Sequence, residues 1–148
     1  MHNERMVHSV EISTIAHATE NLDKVNAALR FILPDQLKAK EIFTRKHMQG
    51  HHGNPIVTLD ARFTKPADVE QFLNHFITLL SRSERLSIER DLGLYSDEEG
   101  NLFIRVDKQQ AFRGTIELGG EDPIRVRLKF TRFSGEAKER MKRFLESE

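Results

Sequence analysis

The chain has 148 residues, 38% hydrophobic and 31% charged, with 23 Lys/Arg matched by 23 Asp/Glu. That length and balance predict one soluble domain over residues 1–148 with a real core. Cysteine is absent, which excludes disulfide frameworks, cysteine-ligated zinc and thiol nucleophiles. Zero formal charge means that any affinity for a polyanion must come from cations gathered in one place.

Val7 to Ala18 is rich in Val, Ile and Thr and reads as a first strand. Thr19 or Asn21 then caps a helix whose stripe is Leu22, Val25, Leu29, Ile32 and Leu33, ended by Pro34-Asp35. Lys40 to Met48 is a second strand of poor alternation. The turn Gly50-His51-His52-Gly53-Asn54-Pro55 returns the chain into a third strand, Ile56 to Phe63. Pro66 opens a second helix with Val69, Phe72, Leu73, Phe76, Ile77 and Leu80 on one side, and helical character extends through Arg82 to Leu92. Leu102 to Asp107 is a strand, and Thr115–Leu118 with Ile124–Thr131 would form a hairpin across Gly119-Gly120. Ser134 would cap a last helix with Ala137, Met141, Phe144 and Leu145 inward. The expected class is α+β, two-layer, with antiparallel strands covered by helices on one face, in the order β-α-β-β-α-β-β-β-α.

In Ile124-Arg125-Val126-Arg127-Leu128-Lys129-Phe130, apolar and cationic residues alternate without a break. On a strand that puts Arg125, Arg127 and Lys129 on one face and the apolar residues on the other. Three like charges side by side repel, unless Glu117 on a neighbouring strand pairs with one of them, and Arg105 would extend the row. Residues 102–133 hold seven Lys/Arg against four Asp/Glu, a modest local excess. A polyanion is the partner such a row suits, and nucleic acid is the commonest one in a cell.

Lys108-Gln109-Gln110-Ala111-Phe112-Arg113-Gly114 offers two amides for base edges or 2′-hydroxyls, with Lys108 and Arg113 beside them for phosphates. Phe112 would either stack on a base or fill the core. The glycines and Asn54 of the His51–Asn54 turn can bring backbone N–H groups close to a phosphate or base while His51 or His52 stacks or hydrogen-bonds; the alternative is a plain turn with positive φ at Gly53 or Asn54. His51-His52, without a third spaced ligand, makes a weak metal motif, and no metal or cofactor is expected. In the last helix, Lys138, Arg140, Lys142 and Arg143 interleave with Glu136, Glu139 and Glu146, as on a solvated face. Asp60, Asp107 and Glu117 stand singly, so the chain is not expected to be an enzyme. No apolar run approaches the roughly 20 residues of a membrane span, and no signal-like segment follows Met1. A cytoplasmic protein is expected, without a membrane partner.

Three blocks carry a family resemblance: Val10-Glu11-Ile12 with His17-Ala18-Thr19-Glu20, then Gly50 to Ile56, then Leu102 to Gly114. In this order they resemble the archaeal family of predicted RNA-binding exosome subunits, whose fold is likened to the double-stranded-RNA-binding domain. The resemblance implies an archaeal RNA-binding protein, with RNA-processing or exosome proteins as further partners. The predicted order from Ala67 onward, α-β-β-β-α, is also the order of that domain. Ser134-Gly135-Glu136 stands where the domain has a basic cluster, and Gln109-Gln110 where it has a histidine. Both departures weigh against a clamp on duplex RNA, and the extra β-α-β-β segment leaves a two-layer α/β sandwich open. The expectation is therefore non-catalytic RNA binding through Arg105, Lys108, Gln109, Gln110, Arg113, Arg125, Arg127 and Lys129, with His51, His52 and Asn54 as a second edge. A module for an acidic protein partner is the rival, and a nucleotide-acting enzyme ranks third.

Overall fold

The computed structural model describes residues 6–131 and 136–147. The chain runs β1 (Val7–His17), α1 (Leu22–Phe31), α2 (Asp35–Lys38), β2 (Thr44–Gln49), β3 (Pro55–Phe63) and α3 (Pro66–Leu79). It continues through α4 (Arg82–Arg90), α5 (Leu92–Tyr95), β4 (Asn101–Asp107), α6 (Lys108–Phe112), β5 (Pro123–Phe130) and α7 (Ala137–Glu146). The strands form one antiparallel sheet in the order β2-β3-β1-β5-β4. This is the α+β, two-layer architecture expected from the pattern.

Alternation decides which face is covered. Val10, Ile12, Leu59, Phe63, Leu102, Ile104, Val106, Ile124, Val126, Leu128 and Phe130 point inward and join one core cluster. The helices add Val25, Leu29, Phe72, Phe76, Ile88, Met141 and Phe144 to the same cluster. Phe72 stacks on Phe76 at 5.1 Å and meets Phe63 edge-on at 5.7 Å, while Phe130 meets Phe144 at 6.1 Å. Each fully buried aromatic or aliphatic side chain contributes about 1.5–3 kcal/mol relative to exposure, so this layer holds the sheet rigid. The opposite face stays open. No helix among the described residues is long and apolar enough to cross a membrane.

Local chemistry explains the ends. Asn21 caps α1, its Oδ1 accepting from Asp23 N at 2.8 Å. The long helix expected from Pro66 to Leu92 breaks at Ser81. There Ser81 Oγ accepts from Glu84 N (3.1 Å) and Glu84 Oε1 accepts from Ser81 N (2.9 Å), a capping box that starts α4 anew. Lys108 to Phe112 is helical, and Asp107 Oδ1 caps it by accepting from Gln110 N at 2.9 Å.

The expected strand Thr115–Leu118 does not form. Only an isolated bridge, Val106 with Leu118, survives, and β4 pairs directly with β5. Gly119 and Gly120 both adopt φ +94 and turn the chain away, and a Cβ on Gly120 would lie 2.7 Å from Asp107 Oδ2. The α-β-β-β-α order of a double-stranded-RNA-binding domain is therefore missing a strand. The expected Ser134 cap lies outside the described residues.

Candidate nucleic-acid interface

On the open face the register aligns side chains into rows. Arg62 of β3, Glu11 of β1, Arg127 of β5 and Phe103 of β4 make one row. Asp60, Ser13, Arg125 and Arg105 make the next, and Lys129 stands beside Ser9 and Asn101. The first two rows line a shallow trough of about 370 Å³. Four arginines against two acids give the trough a net positive lining.

Charge is unevenly shared along it. Glu11 takes Arg127 in a close ion pair and lies 3.8 Å from Arg62, so the β1–β3 side is largely neutralised. Glu117, the alternative partner for one of the strand cations, is not the acid that pairs with Arg127; Glu11 is. Arg125 and Arg105 face each other directly across β5 and β4, and with Lys129 they have no ion pair among the described residues. Like charges in register repel, and burial on the inner face keeps both strands in that register. The structure thus brings Arg105, Arg125, Arg127 and Lys129 onto one surface. It adds Arg62 and Phe103, which the sequence reading passed over. Phe103 was legible: Leu102, Ile104 and Val106 go inward, so Phe103 must share the face of Arg105.

The other candidates lie elsewhere. Lys108 is a correction. Its side chain is 7% exposed, and its ammonium donates to Glu20 Oε1 (2.8 Å) and Ile15 O (2.6 Å) and pairs with Asp122 Oδ2 at 2.7 Å. All three donors are satisfied within the fold, leaving none for a phosphate. Gln109, Gln110 and Arg113 belong to α6 and its C-terminal end, and α6 packs on α1 in the helix layer rather than on the open face. Gln110 Oε1 accepts from Thr115 Oγ1 at 3.2 Å. Phe112 neither fills the core nor lies bare, because the Lys24 ammonium sits 5.4 Å from its ring centre.

Residues 51–54 form the tip of the β2–β3 hairpin, at the sheet end where His17 pairs with Ile56. Positive φ falls on His52 (69) and Gly53 (77), whereas Asn54 is extended at φ −68. Gly50 N donates to Asn54 O at 2.6 Å and closes the turn. One trio among the described residues groups potential metal-ligand atoms within 4.8 Å: His17, Glu20 and Asp122. Lys108 already neutralises both carboxylates, so the trio is tied up as an ion-pair network.

A family model described as RNA binding matches residues 9–130. The RNA-binding protein PAB1135 of Pyrococcus abyssi is 34% identical over 135 residues, spanning 90% of this chain and 88% of its own. The uncharacterized protein MJ0213 of Methanocaldococcus jannaschii is 30% identical over 138 residues, spanning 90% and 91%. The solved structure of Mth689, a DUF54 protein from Methanothermobacter thermautotrophicus, has a TM-score of 0.76 at 30% identity and covers 95% of this chain and 99% of its own. The match of residues 9–130, with relatives aligned over nearly the whole chain, establishes that this protein belongs to that RNA-binding family.

Proposed function

We propose that the protein binds RNA through the open face of its sheet and catalyses no reaction on it. The carrying observation is the pair Arg105 and Arg125, held opposite each other with no ion pair among the described residues, and Lys129 further along the same face of β5. A phosphate placed between two guanidiniums accepts from both and relieves their repulsion. A strand of phosphates running along the trough would make these contacts in succession. The accessory role in RNA processing or exosome-linked decay rests on the sequence resemblance. It predicts exosome subunits that co-purify after nuclease treatment.

The double change Arg105→Glu with Arg125→Glu tests the face. It keeps two like charges in register, so the fold should survive, as circular dichroism would verify. RNA retention should collapse, and the salt dependence should flatten by roughly 0.7 log units per lost phosphate contact on a single strand. Undiminished RNA affinity in the folded double variant overturns the proposal. So does a protein ligand that persists after nuclease treatment while naked RNA never binds.

A further inference from the structure

Phe103 is out of place for a purely electrostatic surface. It is 41% exposed, on an edge strand, at the end of the row that holds Arg127 and next to the row that holds Arg125 and Arg105. Across the sheet its row neighbour is Arg127, and the next residue on its own face is Arg105. The ring therefore presents apolar surface to water, with Arg127 across the sheet and Arg105 along its own strand. Phe112 is 39% exposed but already carries the Lys24 ammonium. An aromatic ring on an open sheet, with guanidiniums across from it and next to it along the strand for the adjoining phosphates, matches the needs of an unpaired base.

We infer that Phe103 is a base-stacking platform and that the ligand of this face is single-stranded RNA. The inference rests on the RNA-binding reading above and names its substrate class. Bases in an A-form duplex are stacked on one another and present only their edges in the grooves. A ring fixed on a sheet face can reach a base only where the strand is unpaired. The stack would set the position of the chain on the trough, with Arg105, Arg125 and Arg127 taking the adjoining phosphates. Little sequence selectivity is expected from this contact, because every base offers a π-face.

Tryptophan is absent from the chain, so Phe103→Trp introduces a single tryptophan, excitable apart from Tyr95, at the proposed contact. Titration with an oligoadenylate of about eight nucleotides should quench it, whereas a matched A-form duplex should not. Phe103→Ala should weaken oligoadenylate binding on the order of ten-fold without changing the salt slope, since no phosphate contact is removed. Phe103→Tyr should bind as the parent does. An abasic oligonucleotide should bind the parent and Phe103→Ala equally. Full affinity in Phe103→Ala, or tighter binding of duplex than of single strand, overturns the inference. If the arginine double variant loses RNA while Phe103→Ala does not, only the stacking fails. If neither change matters, the RNA-binding face itself is wrong.

Discussion

Lys108, at the start of α6, and Arg125, on β5, carry the same charge, yet the molecule treats them in opposite ways. At the sheet end Lys108 is enclosed by Glu20, Asp122 and the Ile15 carbonyl. On the open face Arg125 stands in water against Arg105. The first arrangement satisfies every donor and ties three separate stretches of chain together. The second leaves repulsion in place, which the fold tolerates because the apolar side of the same strands is fully buried. A cation that is matched internally stabilises; a cation that is mismatched is available to a ligand.

The largest expected effect breaks the enclosed side of that contrast. Lys108→Met removes the ammonium and leaves Glu20 and Asp122 facing each other. The cost should be about 3 kcal/mol, the lower end for breaking a buried pair because Asp122 reaches solvent. A denaturant titration measures it, and RNA affinity per folded molecule should not change. If affinity falls as steeply as stability, Lys108 touches the ligand and the contrast is wrong.

Arg125→Thr probes the open side and should move two readouts in opposite directions. Removing one of two like charges in register should raise stability by a few tenths of a kcal/mol, visible as a higher unfolding midpoint. RNA affinity should drop. A destabilised Arg125→Thr would show that Arg125 has a structural partner after all.

The smallest effect concerns acids rather than bases, on the far side of the molecule between α4 and α7. Desolvation, followed by a hydrogen bond with Glu146 and its charge, raises the Glu89 carboxyl above its ordinary value, with Lys142 opposing. Folded Glu89 therefore holds a proton more readily than unfolded Glu89. Its contribution is fully present below the unfolded pKa and is lost as pH rises through the raised folded one. Glu146→Gln should thus give a slightly higher melting temperature at neutral pH. That advantage should shrink as pH falls into the carboxylate range.

Much of this was legible from local pattern. The alternation of Ile124 to Phe130 placed three cations on one face, and burial agrees residue by residue. The same rule applied to Leu102–Val106 exposes Phe103, but phenylalanine is so often core that Phe112, in a polar segment, drew attention instead. Lys108 was misread for a different reason. Its partner Glu20 lies 88 residues away and Ile15 O lies 93 away, and no local window shows either. The family resemblance had marked His17–Glu20 and Asp107–Lys108 as separate blocks; the structure joins them into one contact. Thr115–Leu118 looked like a strand because its composition suits one. The two glycines after it, both at positive φ, limit it to a single bridge.

Glu11 adds a consequence for how the trough fills. Its carboxylate already sits on Arg127 and near Arg62, where an incoming phosphate would go. A ligand at that position must exchange with an anion belonging to the protein, whereas Arg105 and Arg125 have no ion pair among the described residues to exchange. The trough therefore has a built-in competitor at one end and none at the other. On the proposed function, an anion too weak to displace Glu11 would not hold at Arg127, and a bound strand would engage Arg105 and Arg125 before Arg127.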